Sequence, residues 1–202
     1  IVNNSRTFTR QILTFVQDKG NSEIKAQKRY MVKRHITYLY ALKMNLRNEP
    51  DKYFYKHISD LDYVKVKHQT NLPNALLMCQ SDDILHLYEK GYIDQIQFLE
   101  LNKMLTEHTN HLGASERLKN TVFPTVYNFY SKYFIWIFIY CATMSMGNGV
   151  GIWAIPFGTL IGYAFFTIQS LGQLLVNPFE KDNKMGIPLD SITRTIEINL
   201  LE

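Results

Sequence analysis

The sequence predicts an all-α protein in two parts, a polar helical body and an apolar helical hairpin. Three observations predict it. Apolar residues recur at helical spacing through the first two-thirds of the chain, with no strand alternation of any length. From Phe134 to Glu180 there is no Lys or Arg, although fourteen of the 22 basic residues lie between Arg6 and Lys67. Within that uncharged stretch a glycine-rich turn separates two apolar runs. A helix that is polar on no face is buried in a large core or in lipid, and the preceding helices are too polar to cover two such segments.

The elements follow in order. Phe8, Ile12, Phe15 and Val16 share one helical face, and Lys19-Gly20 reads as its stop. Ser22 is a candidate cap for a longer helix to about Arg47, with Met31, Tyr38, Leu42 and Leu46 along one stripe. Asn48-Glu49-Pro50 ends it, because the residue before a proline is pushed out of the helical region. Tyr53 to Lys67 is aromatic and charged, and its state stays open. Asn71-Leu72-Pro73-Asn74 starts the next helix, and Gly91 supplies its left-handed stop. Asp94 opens another, with Phe98, Leu101, Leu105 and Leu112 facing one way and Gly113 as the expected end.

The apolar part begins near Phe129. Tyr133 to Met146 carries no charge, Gly147-Asn148-Gly149 reads as a turn, and Val150 to Ile168 is again uncharged. A span needs about 20 apolar residues; the second run reaches that length and the first does so if Phe129 to Lys132 extends it. Trp136, Tyr140, Trp153 and Tyr163 suit the membrane interface. Pro156, Gly158 and Gly162 read either as breaks in the second span or as packing residues. Arg117, Lys119 and Lys132 precede the pair and Lys181, Lys184 and Arg194 follow it, so the positive-inside bias puts both ends in the cytosol. Ile1-Val2-Asn3-Asn4 and the run to Glu202 both read as truncation points. No signal peptide is visible.

Several function classes find no support. Cys79 and Cys141 lie in segments of opposite character and in no metal or redox spacing. No Gly-rich phosphate loop, nucleophile elbow or metal triad occurs, so the expectation is a protein that is not an enzyme and takes no cofactor. His108 and His111, with Glu107 beside them, are two ligands without a third, and no metal is expected there. The basic run Lys25 to Arg34 reads as a solvated helix face rather than a nucleic-acid or lipid contact. Arg34-His35 reads as a packing and hydrogen-bonding pair, and Asp82-Asp83 as charge at a helix N-terminus. Asp190 is a candidate N-cap for a last helix with Ile192, Ile196 and Leu200 on its buried side.

Short motifs in a fixed order then carry a resemblance. Ser115-Glu-Arg-Leu-Lys-Asn-Thr-Val-Phe-Pro-Thr-Val-Tyr127 resembles the bestrophin signature of Glu-Arg, Asn-Thr, proline and Tyr leading into the third span. Asn177-Pro178-Phe179 followed by Ile187-Pro188-Leu189-Asp190 resembles the segment after the fourth span. Asn71-Leu-Pro-Asn-Ala-Leu-Leu77 with Gln80-Ser81, and Arg34-His35 with Ala41-Leu42, are similar to the bacterial branch. Val2-Asn3-Asn4-Ser5-Arg6 looks like the continuation of the family's second long helix, so the resemblance covers essentially the whole chain.

The resemblance implies a multi-pass channel subunit of the inner membrane, assembled as a homopentamer around one pore and passing chloride or other small anions. Its alternatives are a monovalent cation channel of the same fold or a membrane-anchored scaffold without conductance. Residues 1–128 would form the cytosolic helical region, 129–176 the membrane hairpin and 177–202 the cytosolic segment with the start of a C-terminal helix. The family's hydrophobic neck matches upstream of Ile1. Its cytosolic constriction matches Phe123, or Val122 if the register slips by one. Glu116, Arg117, Asn120, Thr121, Pro124, Asn177, Pro178, Phe179 and Asp190 are the adjoining motif residues. Arg117 is read as paired with a carboxylate rather than facing the pore. Glu180-Lys181-Asp182-Asn183-Lys184-Met185 departs from the dense acidic run of animal relatives, and two carboxylates fall short of the roughly six to eight oxygen ligands calcium takes. Partners implied are further copies of the chain, membrane lipid and small inorganic ions, with no nucleic acid.

Overall fold

The computed structural model describes residues 1–18, 20–121, 125–174, 178–181 and 186–202. They form two compact units, Ile1–Arg117 with Pro188–Glu202, and Leu118–Ile187. Among the described residues there is no strand.

The first unit is built on α2, Ser22–Arg47. Asn21, not Ser22, caps it, its side chain accepting from the Glu23 amide at 2.8 Å. The stripe of Met31, Tyr38, Leu42 and Leu46 is buried, and Asn48 ends the helix in the left-handed region. Before it, α1 (Val2–Phe15) buries Phe8 and Ile12. The aromatic, charged stretch resolves into two short helices, α3 (Lys52–His57) and α4 (Asp60–Val66). Asp51 caps α3 and Ser59 caps α4, each through its side-chain oxygen. α5 (Leu72–Glu89) starts on Asn71, with Pro73 in its first turn, and gives way at Gly91, whose φ is +71°.

α6 (Gln95–Asn120) opens on a reciprocal box: the Gln97 amide donates to Asp94 Oδ1 at 2.8 Å and the Asp94 amide to Gln97 Oε1 at 3.0 Å. It runs through Gly113, which therefore does not end it. A single glycine costs a helix only about 1 kcal/mol, and no left-handed turn follows to collect the carbonyls. α9 (Leu189–Leu201) returns to this unit and buries Ile196, Glu197 and Leu200.

Asp82 and Asp83 lie deep inside α5 rather than at a helix start. Asp83 instead pairs with Arg34, which also donates through Nε to Asp62 at 2.7 Å and through Nη1 to the Cys79 carbonyl at 3.0 Å. His35, its neighbour in sequence, makes no hydrogen bond and packs among rings: 4.6 Å from His108, 5.1 Å from Phe8 and 5.4 Å from Tyr38 between centroids. The two neighbours thus do different work. The other basic residues of the run Lys25 to Lys33 lie at or near the surface.

The second unit is a helical hairpin. α7 (Thr125–Val150) runs straight through Gly147-Asn148-Gly149, and the chain reverses at a 3-10 turn, Gly151–Trp153, where Gly151 has φ +59°. α8 (Ala154–Leu174) is continuous. Pro156 does not break it, because a proline in the first turn gives up an amide that has no helical partner there. A Cβ at Gly158 would overlap Thr143, and one at Gly162 fits only if the end of the Ile139 side chain moves. Both glycines are packing residues.

Candidate pore segment and its supports

The residues matched to the constriction follow the end of α6. Val122, Phe123 and Pro124 lie outside the described residues, as do Asn177 and the Asp182–Met185 stretch. What is described is how the flanking motif residues are held.

Glu116 is half-buried, and its Oε1 accepts from Asn45 Nδ2 and from Asn71 Nδ2, each at 2.9 Å. Asn45 is on α2, and Asn71 caps α5 by accepting the Asn74 amide at 3.1 Å. Arg117 is exposed, and its Nε donates to the Gly113 carbonyl one turn back at 3.2 Å. Asn120 and Thr121 are exposed at the end of the helix. Beyond the hairpin, Phe179 is buried and the Pro178 carbonyl accepts the Ile187 amide at 2.7 Å, which closes that loop.

Asp190 is not an N-cap. α9 starts one residue earlier, behind Pro188, and no side chain caps it. The Asp190 carboxylate pairs instead with Arg47 at 2.5 Å and with Lys43, and Lys43 also reaches Asp51 at 2.5 Å. Hydrogen bonds from Lys43 and Arg47 hold its carboxyl below the usual carboxylate range. About two turns further on, Glu197 is enclosed by Tyr40 Oη at 2.5 Å, His57 Nε2 at 2.8 Å and Arg194 at 2.6 Å. Sequence reading missed this carboxylate. The available signal was its place beside Ile196 on the buried face of an otherwise apolar stripe.

His35 and His108 are used for packing. His108 lies 5.7 Å from Tyr38 between ring centroids, and the Tyr38 hydroxyl donates to the His108 backbone carbonyl at 3.2 Å. His111 meets Asn4 Nδ2 at 3.0 Å.

The hairpin is apolar and largely exposed. The stretch Val126–Gln173 is long and apolar enough to cross a membrane, and only 17 % of its most apolar window is buried. The Gly151 reversal divides that stretch into two helices. Between them, towards the open ends, lies a cavity of about 920 Å³ lined by Tyr127, Phe134, Phe165 and an amide group of Asn128, Gln169 and Gln173. Gln169 donates to Asn128 Oδ1 at 3.1 Å, and Gln173 donates to the same oxygen.

Comparison with known proteins now bears on the fold and the motifs together. A voltage-dependent anion channel-forming protein of Nostoc sp. is 26 % identical over 201 residues, which is 99 % of this chain and 65 % of that protein. The protein of the same description, YneE, from Escherichia coli is also 26 % identical over 201 residues, 98 % of this chain and 63 % of its own length. The chain thus spans just under two-thirds of these curated relatives. A crystal structure of a bacterial bestrophin homologue from Klebsiella pneumoniae superposes with a TM-score of 0.86 at 22 % identity, covering 99 % of this chain and 72 % of that one. That likeness establishes the fold. The model of the family described as bacterial/fungal bestrophin protein matches residues 1–202. By that match over its whole length, the chain belongs to the bacterial and fungal bestrophin family of membrane proteins.

Proposed function

We propose that the chain is part of the pore-forming subunit of an ion channel that passes chloride or other small anions down their gradient, without chemistry and without a cofactor. The observation that carries this reading is the match of the whole chain to a family whose relatives are named as voltage-dependent anion channel-forming proteins. Five copies surround one pore in the intact protein. Residues 129–176 cross the inner membrane twice, and residues 1–128 and 177–202 lie in the cytosol. The stretch from Tyr133 to Phe179, which carries no Asp, Glu, Lys or Arg, with basic residues on both outer flanks supports that topology.

Phe123 forms the cytosolic aperture in this reading. A ring of aromatic side chains narrows it and presents ring edges, which carry partial positive charge, to passing anions. Glu116, Arg117, Asn120, Thr121 and Pro124 shape its approach, and Asn177, Pro178, Phe179 and Asp190 fix the segment after the hairpin.

The test uses the full-length parent protein. It is purified, its subunit number is measured, and currents are recorded in a planar bilayer under a salt gradient. A pentamer with a reversal potential displaced towards the chloride equilibrium value is the expected result. Displacement towards the sodium value would assign cations instead, and a monomer that binds liposomes and passes no current would reduce the reading to fold alone. In the conducting protein, Phe123→Ala is expected to change unitary conductance or selectivity; unchanged values would remove Phe123 from the pore.

A further inference from the structure

The Glu116 carboxylate does more than occupy a motif position. The last fully buried side chain of α6 is Leu112, at 3 % exposure, and from Gly113 to the helix end at Asn120 every residue is half-buried or exposed. The final two turns are therefore not held by core packing. They also begin at a glycine, the residue that least resists bending of a helix. At this weak point one carboxylate oxygen collects amide donors from two other helices, α2 through Asn45 and α5 through Asn71.

The geometry fixes an axial position and not merely a contact. Tyr38 on α2 donates to the His108 carbonyl of α6, and two turns further along both helices Asn45 donates to Glu116. Seven residues on α2 and eight on α6 advance by about 10 and 12 Å at 1.5 Å per residue, so the two ties hold parallel helices in one register. Asn71 is itself immobilised, since its carbonyl oxygen caps α5 while its amide nitrogen reaches Glu116. Both donors are neutral, so the arrangement orients the carboxylate without an ion pair.

We infer that Glu116, Asn45 and Asn71 form a clamp that fixes where α6 stands against α2 and α5 as the helix nears its C-terminal end. These are positioning residues. The consequence for conduction rests on the pore reading above; the clamp itself is a statement about α6.

Four single variants of the full-length parent protein and one double variant test it; the single ones are Glu116→Ala, Glu116→Gln, Asn45→Ala and Asn71→Ser. Glutamine keeps a side-chain oxygen able to accept both amides and removes the charge. Serine keeps the α5 cap and is too short to reach position 116. Amide hydrogen exchange at residues 117–121 is read beside unitary conductance. Hydrogen bonds to a charged group are worth enough that Glu116→Ala is expected to speed exchange at 117–121 about tenfold or more, with α2 and α5 unchanged. Asn45→Ala and Asn71→Ser move it the same way, and the Asn45→Ala, Glu116→Ala double variant is no looser than Glu116→Ala alone. Glu116→Gln stays close to the parent protein in hydrogen exchange at 117–121. Unchanged exchange in Glu116→Ala overturns the clamp, and equal loss in Glu116→Gln overturns it in favour of a role for charge. A conducting Glu116→Ala protein with parental conductance overturns the link to the aperture alone. Absence of current in the unsubstituted protein overturns the pore reading and that link together, while the exchange data still decide the clamp.

Discussion

Tyr40 and Glu197, 157 positions apart in sequence, share a 2.5 Å hydrogen bond in which the phenol donates to a carboxylate that is only 1 % exposed. Burial alone pushes the Glu197 carboxyl up, but the donors Tyr40, Arg194 and His57 outweigh it and hold it below its ordinary value. Burial and the same carboxylate raise the Tyr40 phenol. This contact seats α9 on α2 and α3, and Asp190 seats its first turn on Lys43 and Arg47.

The first prediction follows from that seat. Tyr40→Phe removes one hydrogen bond to a charged acceptor and is expected to cost about 1.5–3 kcal/mol. Glu197→Leu costs more, because it leaves the Tyr40 hydroxyl without its acceptor in a buried site and His57 without its carboxylate. Denaturant unfolding in detergent measures both. Equal stability of the parent protein and Glu197→Leu would mean that α9 is held by Ile196 and Leu200 alone.

The same helix shows what sequence does and does not reveal. Local signals act within a few residues, and they located the α2 stripe, the stop at Asn48 and the start at Asn71. Gly113 misleads because a glycine marks a stop only where the next residues turn away, and those of α6 continue the helix. The Gly147-Asn148-Gly149 triplet misleads in the same way: the reversal needs one residue at positive φ, and Gly151 supplies it. Asp190 and Glu197 were harder to read for a different reason. Their partners on α2 and α3 lie over a hundred positions away, and nothing local separates a capping Asp from one that bridges two helices. The proposed constriction at Phe123 rests on resemblance alone, and Phe123 falls outside the described residues.

Arg34 carries the second prediction. Its guanidinium is buried against Asp62, Asp83 and the Cys79 carbonyl, and Tyr30 donates to Asp62 as well. Arg34→Met leaves Asp62, itself buried, without its counter-charge and is expected to cost roughly 3–5 kcal/mol. Arg34→Lys recovers only part, since one ammonium cannot reproduce the fork that spans both Asp62 oxygens. The double variant Arg34→Met, Asp62→Leu is expected to be more stable than Arg34→Met alone. Chemical denaturation of the three proteins checks the order.

The third prediction concerns pH. Burial pushes the His108 imidazole down to about 4 from its ordinary 6.5, with His111 adding to the effect. Burial, then His108, pushes His35 down as well. Both are neutral in the folded state and would take up a proton on unfolding, so the unfolded chain binds more protons once the pH falls below 6.5. Stability is therefore full above that value and declines as pH falls towards 4, by roughly 3 kcal/mol from His108 alone. Thermal melting in detergent between pH 7 and 4 is expected to show that loss, and His108→Phe to flatten it. An equally steep acid limb in His108→Phe would assign the decline to carboxylates such as Glu197.

The hairpin supplies the last prediction, in which two glycines one turn apart behave differently. A Cβ added at Gly158 would overlap the Thr143 hydroxyl and come within 3.1 Å of Thr143 Cβ and 3.3 Å of its Cγ2. Thr143 is short and its hydroxyl is bonded to the Ile139 carbonyl at 2.8 Å, so the neighbour has nowhere to move. A Cβ at Gly162 would instead meet Ile139 Cδ1 at 2.8 Å, the far end of a side chain that can change rotamer. Gly158→Ala must therefore push the two helices apart, at a cost of about 1–3 kcal/mol by the measure of overpacked cores. Gly162→Ala is absorbed by repacking and costs less than about 1 kcal/mol, since alanine also favours the helix. The readout is the fraction of properly assembled protein after mild heating in detergent, compared across the two variants and Gly158→Ala with Thr143→Ala. Removing the threonine hydroxyl and methyl opens the space the new methyl needs, so the double variant is expected to recover most of the loss. A Gly162→Ala protein as impaired as Gly158→Ala would mean that the helices are held by backbone approach along their whole length, and not by the fit of Gly158 to one side chain.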